Sequence, residues 1–465
     1  MGDITKSSEL RKYLSSFLQR KKVLILGFGK EGSSTLQLLH DLKTEAIITI
    51  ADRNDSAFAG SPLIESGKYA LIHGADYLNS VNDFDVVIKS PGISLKDQSF
   101  DRDKITSQTN IFLKVYGGKT IGVTGTKGKS TTSSLIYHII KKTYPLSVFG
   151  GNIGTPLFDL DDEITPESYI VCELSSHQLE FVKSSPHIAL LLNIYQEHLD
   201  HYNTFIDYQK AKLNIAYYQK AADYFLYSDE VLIRGLLNES PTLSGHKIPF
   251  DANTGSLPSL LKANSKLAET IERITSGECR INLVGEHNKK NTIIAAVACH
   301  LSGVPIETIE EQLQSFQPLE HRMEPVGIYE GKTFYNDSIS TIPESAIAAI
   351  KSLYPVDTII LGGFDRGIDY SILVDFLMKK EVKHIVTTGP AGKTIYSKLK
   401  ASGYKSDLQH FDTFDKSVEA AIQSTAEGGI CLLSPAASSY NEFKNFEFRG
   451  RRFKELVTKI SRAKD

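Results

Sequence analysis

Short apolar runs recur along the whole chain, each followed by a longer segment of helical periodicity, and this alternation restricts the fold more than any other feature. VLILG (23–27), AIITIAD (46–52) and DVVIKS (85–90) read as parallel strands buried on both faces. The rhythm returns at KTIGVTG (119–125), YIVCELS (169–175) and IALLLNI (188–194), and again at DTIILGG (357–363), KHIVTTG (383–389) and ICLLSP (430–435). Strands that alternate with helices in this way imply an α/β class with mostly parallel sheets. With 465 residues the chain has room for about three domains of ~150 residues.

Three places read as boundaries. TSQTNIFLKVYGGK turns from polar to apolar and ends in a Gly-Gly turn before residue 119, and SFQPLEHRMEP, near 315–325, carries two prolines between two α/β patterns. The stretch 235–280 is weakly periodic and is expected to form loops or a peripheral excursion of the middle domain. No internal repeat or low-complexity tract interrupts the pattern.

Charge and cysteine usage exclude several classes. Lys and Arg total 52 against 55 Asp and Glu, a formal charge of −3, which argues against a dedicated nucleic-acid binder with its basic surface. Four cysteines, Cys172, Cys279, Cys299 and Cys431, lie far apart without a CxxC pair. That spacing supports neither a disulfide framework nor a zinc ribbon and suits a reducing compartment. The charged N-terminus lacks the apolar core of a secretory signal. No apolar stretch approaches the ~20 residues of a membrane helix. A cytoplasmic protein without membrane or nucleic-acid partners is expected, and a monomer.

Gly122-Val123-Thr124-Gly125-Thr126-Lys127-Gly128-Lys129-Ser130-Thr131-Thr132 follows a strand and leads into the helical pattern SSLIYHIIKK. Backbone N–H groups and a helix N-terminus in this context hold phosphates. Lys129 would reach the β- and γ-phosphates, and the Ser130 hydroxyl would ligate Mg²⁺. A strict Walker pattern has Gly at 123, where this chain has Val, so the loop is a variant. It predicts binding of a nucleoside triphosphate.

A second glycine motif, Gly27-Phe28-Gly29-Lys30-Glu31-Gly32, follows VLIL, with Asp52 at a strand end about 20 residues on. Taken alone it fits NAD, another nucleotide diphosphate, or close helix–sheet packing. Ser90-Pro91-Gly92-Ile93 marks another turn at a strand's carboxyl edge, where ligands of such sheets bind. Two nucleotide-type loops in succession favour a nucleotide-linked substrate on the first and ATP on the second.

Glu173, at a strand end, is placed to hold Mg²⁺, His198 follows another strand, and Lys212 lies on a predicted helix. Singly, each has an ordinary reading as a salt-bridged, solvated or surface side chain. Together, at successive strand ends after a phosphate loop, they favour a metal–ATP site.

From these residues onward the chain resembles the Mur ligases, the ATP-dependent enzymes that add amino acids to the cell-wall precursor. The resemblance runs through Gly151-Asn152-Ile153-Gly154, Glu-Leu-Ser-Ser at 173–176 and Gly285-Glu286-His287-Asn288 with Asn291. It continues in Glu320-His321-Arg322, Asn336-Asp337-Ser338 and Leu433-Ser434-Pro435-Ala436. It implies three α/β domains: a Rossmann-like domain for the uridine nucleotide (1–113), a central P-loop ATPase-type domain (114–318) and a C-terminal Rossmann-like domain for the amino acid (319–465).

Residue by residue, the resemblance implies that Gly125, Thr126, Lys127, Gly128, Lys129, Ser130, Thr131, Asn291, Arg322 and Asp337 contact ATP. Ser130, Glu173, His198 and a carbamylated Lys212 would hold Mg²⁺, with two ions expected. An ammonium beside two Mg²⁺ ions is repelled, whereas a carbamate attracts them. Gly29, Lys30, Glu31, Asp52, Ser90, Gly92 and Asn152 fall on the uridine side. Thr341, Arg366, Ser439 and Phe446 fall on the glutamate side. Lys129, His198 and Lys212 carry the catalytic expectation. The members most similar ligate glutamate to UDP-N-acetylmuramoyl-L-alanine through an acyl phosphate, and D-glutamate is the expected amino acid.

The amino-acid side departs from the family pattern. After Asn336-Asp337-Ser338 the family commonly continues Lys-Ala-Thr-Asn, where this chain has Ile339-Ser340-Thr341-Ile342. Phe364-Asp365-Arg366-Gly367 replaces the common Asp-Gly-Lys or Asp-Lys-Gly. Arg keeps the charge but offers a planar fork; drift in a tolerant pocket or altered amino-acid selection both fit, and since a subgroup of the resembled ligases uses L-glutamate, that is the alternative substrate. The third-domain signatures of the other Mur ligases are absent, and folylpolyglutamate synthases lack the first domain. A more distant alternative, an NAD-binding regulatory protein, leaves Lys129, Glu173, His198 and Arg322 without a joint purpose.

Overall fold

The computed structural model describes residues 8–96, 98–198, 200–239, 243–251, 265–279, 281–379 and 382–462. They form two compact units, Met1–Arg280 with Lys289–Ser315, and Ile281–Asn288 with Phe316–Asp465. The expected division near 318 falls close to the boundary between the units. The one at 113/114 falls within the first unit, in the helix Gln108–Tyr116.

The first unit holds two parallel sheets. β1 (Lys22–Leu26), β2 (Ile47–Asp52), β3 (Ala70–His73), β4 (Val86–Lys89) and β5 (Ile105–Thr106) lie in the order β3-β2-β1-β4-β5. The chain passes from β1 to β2 on one side, while β4 pairs on the other. The loops after β1 and β4 therefore meet at the switch point where such sheets bind ligands. β6 (Thr120–Thr124), β7 (Val148–Gly151), β8 (Ile170–Glu173), β9 (Ile188–Leu191), β10 (Tyr224–Ser228) and β11 (His246–Phe250) lie in the order β11-β10-β9-β6-β8-β7. Every residue of β6, β8 and β9 is buried. This explains why these strands read as unbroken apolar runs and not as alternating ones.

The second unit carries β12 (Glu324–Tyr329), β13 (Lys332–Asn336), β14 (Thr358–Gly362), β15 (His384–Thr388), β16 (Asp407–Phe411) and β17 (Ile430–Leu433), in the order β12-β13-β17-β14-β15-β16. All pairs are parallel except β12 with β13. Asn336, Leu433 and Ile360 stand abreast on β13, β17 and β14, so the loops that follow these strands share one edge.

Two sequence readings change. The stretch 235–280 carries β11 and the helix Ser265–Ser276. Leu267, Ile271 and Ile274 of that helix are buried, on a stripe that the flanking polar residues obscure; residues 240–242, 252–264 and 280 lie outside the described residues. The helix Phe205–Tyr217 has Thr204 as N-cap, with Asp207 completing a capping box. Its buried stripe, Tyr208, Ala211, Lys212, Ile215 and Ala216, includes the lysine. Lys212 is thus a core residue, not a surface one. All four cysteines are free and buried.

The glycine motif after β1 has a packing reason. A Cβ on Gly32, in the helix Lys30–Asp41, would stand 2.1 Å from the Gly27 carbonyl oxygen, a backbone atom that cannot step aside. Gly32→Ala should lower the stability of the first unit by about 1–3 kcal/mol through overpacking. Denaturant unfolding of the variant beside the parent checks this.

Candidate functional site

The loop after β6 is fixed by its neighbours on both sides. Thr126 N donates to Asn193 O at 3.0 Å, and Lys127 N donates to Asn193 Oδ1 at 2.8 Å. Asn193 Nδ2 returns a bond to Lys127 O at 3.0 Å. Thr126 Oγ1 shares a 2.8 Å hydrogen bond with the Tyr208 hydroxyl. Gly128 caps the helix Lys129–Thr143 with φ +86°, and a Cβ there would stand 2.8 Å from Asn291 Oδ1. Only a glycine both adopts this backbone and lets the Asn291 amide so close. Ser130 and Thr131 occupy the first turn of that helix, where backbone N–H groups lack intrahelical partners.

Two ammonium groups converge on one oxygen: the Gly125 carbonyl accepts from Lys129 Nζ and from Lys212 Nζ, each at 2.9 Å. Lys129 also donates to Thr126 O at 3.1 Å. Burial, then the Lys129 charge, holds the Lys212 ammonium well below the usual lysine range, against weaker attraction from Glu197 and Glu173. Glu173, at the end of β8, is 1% exposed. Its Oε1 accepts from Asn152 Nδ2 at 2.6 Å, while its buried Oε2 accepts no hydrogen bond. His198 stands partly exposed on a turn with φ +60°, its ring 5.9 Å from Tyr208, and its partial burial is the main cause of its lowered pKa. Lys127 pairs with Glu197 at 2.6 Å.

An orphaned buried carboxylate oxygen suits a hard divalent cation, and a serine hydroxyl is a second oxygen donor. Glu173 and Ser130 therefore fit Mg²⁺ by their chemistry, with His198 the further candidate. A second grouping, Glu320, His321 and Glu324, is filled already: Lys454 Nζ binds both carboxylates.

On the first sheet, Asp52 Oδ2 accepts from Phe28 N at 2.8 Å and Oδ1 from Asn54 N at 3.0 Å. Ser90 Oγ donates to Gly27 O at 2.8 Å, tying together the loops after β1 and β4, with Gly92 just beyond. A cavity of about 840 Å³ opens beside the loop after β1, lined by Phe28, Gly29, Lys30, Ser61, Thr155 and Asp159 among others. Gly29 caps the helix that Lys30 begins. Glu31, in its first turn, accepts from Gln178 Nε2 at 2.7 Å. Asn152 N and Nδ2 both donate to Glu173, to its backbone O and to Oε1, and Gly154 and Thr155 of the same turn line the cavity.

In the second unit, Asp337 is buried, accepting from Ser340 Oγ at 2.6 Å, Ser434 Oγ at 2.9 Å and Met323 N at 3.2 Å. Burial pushes its carboxyl up to about 6. Arg322 lies beside the buried His321 at the start of this edge. Arg366 is exposed and its Nη2 donates to Thr341 O at 3.4 Å. Ser439 is buried, and Phe446 opens the helix Phe446–Arg462, its carbonyl accepting from Ser338 Oγ at 2.9 Å.

Sequence reasoning missed Arg449. Its buried guanidinium donates to Ser338 Oγ and O, Ala437 O, Ser438 O and Gly362 O, and burial lowers its pKa to about 9. It joins the three loops that carry Asp337, Arg366 and Ser439. No local signal marks it, since Arg451, Arg452 and Arg462 share the same helix.

The phosphate-type loop after β6 and its charged groups agree with what known proteins show. The Mur ligase middle domain matches residues 123–299, and the Mur ligase glutamate ligase domain matches residues 321–437. The chain belongs to the Mur ligase family. A UDP-N-acetylmuramoylalanine–D-glutamate ligase of Symbiobacterium thermophilum is 32% identical over 447 residues, 92% of this chain and 97% of that protein. Another protein of that name, from Clostridium kluyveri, is 32% identical over 454 residues, 95% of this chain and 97% of its own. Among solved structures, MurC of Thermotoga maritima superposes with a TM-score of 0.54 at 15% identity, covering 95% of this chain and all of that one. The three-domain α/β fold is that of the family. Among the described residues no helix is long and apolar enough to cross a membrane.

Burial raises the Glu31 carboxyl from its ordinary 4.5 to about 7, against the Gln178 hydrogen bond and the Lys89 charge. An acid with a raised folded pKa contributes stability that is complete below pH 4.5 and is lost as the pH climbs through 7. Glu31→Gln should therefore be more stable than the parent above pH 7, the advantage vanishing below about 4.5. Thermal unfolding across that range measures it.

Proposed function

We propose that this protein is the ATP-dependent ligase that adds D-glutamate to UDP-N-acetylmuramoyl-L-alanine in peptidoglycan precursor synthesis. The observation that carries this is the Gly125 carbonyl bound by both Lys129 and Lys212 beside the unpartnered Glu173 oxygen. The Lys129 charge at this loop suits a polyphosphate, and the orphaned carboxylate suits its metal ion.

The alanine carboxylate of the nucleotide substrate attacks the γ-phosphorus of ATP, the bond to the β-phosphate oxygen breaks, and ADP and an acyl phosphate result. The glutamate amine, having lost a proton, attacks the acyl carbon, and inorganic phosphate leaves with the C–O electron pair. Lys129 meets the charge that builds on the transferring phosphoryl group. Mg²⁺, when bound, neutralises phosphate oxygens, and Ser130, Glu173 and His198 would hold it. Neutral Lys212, favoured by its burial, attacks CO₂ and loses a proton to become a carbamate, which supplies the missing anion.

ATP contacts fall to Gly125 through Thr131 and Asn291, and, on the resemblance alone, to Arg322 and Asp337. The nucleotide substrate falls to the cleft at Gly29, Lys30, Glu31, Asp52, Ser90 and Gly92, with Asn152 reaching it from beside Glu173. Thr341, Arg366, Ser439 and Phe446 fall to glutamate. The domain limits 1–113, 114–318 and 319–465 follow from this division of labour. Buried free thiols suit the reducing cytoplasm, where the enzyme works as a monomer.

Phosphate release should require UDP-N-acetylmuramoyl-L-alanine, glutamate and Mg²⁺-ATP together, and Lys129→Ala should abolish it while the first sheet stays folded. Retained activity in that variant would remove the phosphate-loop assignment. D- and L-glutamate compared at equal concentration test the amino acid. Preference for the L-form would trace to Ile339-Ser340 and Arg366, and would leave the ligase assignment standing.

A further inference from the structure

A buried ion network in the first unit takes no part in the roles above. Lys89 ends β4 with its side chain 2% exposed, and its Nζ lies 3.3 Å from Glu180 Oε2 and 3.4 Å from Ser90 O. The same Glu180 oxygen lies 3.1 Å from His201 Nε2, on a side chain 7% exposed. His201 N and Tyr202 N both donate to His198 O, at 3.0 and 3.1 Å, so His201 belongs to the turn that carries His198. Ser94 Oγ, two residues beyond Gly92, donates to His201 O at 3.1 Å. Asn214 Nδ2, on the helix of Lys212, holds Leu179 O at 3.0 Å.

One carboxylate oxygen thus joins the strand that precedes Ser90 to the turn that presents His198. Burying an ammonium and a carboxylate costs desolvation that an apolar contact avoids, so simple adhesion between two sheets would not call for them. What a charged, directional contact adds is a fixed distance. We propose that Lys89, Glu180 and His201 are positioning residues that hold the His198 turn at a set spacing from the Ser90 loop. The acceptor carboxylate and the phosphates are then brought into register. This rests on the ligase reading above.

Lys89→Met in the full chain should lower kcat on the order of 10- to 100-fold, as misplacement by an ångström does. The dissociation constant of UDP-N-acetylmuramoyl-L-alanine and the KM for ATP should stay within about twofold. Lys89→Met with Glu180→Leu removes both buried charges and should restore the melting temperature but not kcat. If kcat returned together with stability, the network would be adhesion and the proposal would fall. Should Lys89→Met not fold, the double variant and Glu180→Gln carry the same comparison. Hydrogen exchange at the His201 and Tyr202 amides reads the turn without turnover and should quicken in each variant; unchanged exchange overturns the proposal. Quickened exchange in a protein whose parent form ligates nothing would support the positioning role and sink the ligase reading instead.

Discussion

The Gly125 carbonyl is the atom on which the middle of this molecule depends. Two lysines bind it from opposite origins, Lys129 from the turn that follows the loop and Lys212 from a helix that begins some eighty residues later. The Lys129 charge lowers the Lys212 pKa, while Glu197 and Glu173 raise it. The surrounding scaffold is heavily bonded. Asn193 grips the loop through both backbone and side chain, Tyr208 holds Thr126, and Asn291 closes on the gap that Gly128 leaves. The near-neutral chain meets anions by local concentration of charge, not by a basic surface.

The second unit solves a related problem differently. Three loops at one sheet edge are held by Arg449, a guanidinium with no carboxylate partner among the described residues, whose donors go to carbonyls and one hydroxyl. A planar fork can reach several loops at once, which an ammonium cannot. The exposed Arg366 is by contrast lightly held, by one hydrogen bond to Thr341 O.

Much of the architecture was legible because β1, β6, β9 and β14 are buried on both faces and read as unbroken apolar runs. β3, β12 and β16 are largely exposed or mixed in burial, so they lack that signal, and they were passed over. The loop after β6 was legible because its chemistry needs particular residues at fixed spacing. The ordinary reading of Lys212 placed it in water, although its spacing from Tyr208 and Ile215 puts all three on one helix face, because a lysine on an apolar face is ordinarily given a solvated place. Arg449 and the Lys89–Glu180–His201 network were invisible, because each is made by contacts between segments distant in sequence. No local pattern distinguishes an arginine that will be buried from one that will not.

The four buried thiols give this chain a set of internal clocks. Cys172 lies in the middle sheet on β8 and Cys431 in the third on β17, both fully buried, while Cys299 sits on the helix Glu286–Leu301. A thiol reagent reaches none of them until its own surroundings open. The chain has no tryptophan to report such events optically. The pace at which each cysteine becomes modified would therefore time the opening of one sheet separately from another, with no label introduced and no residue of the site disturbed.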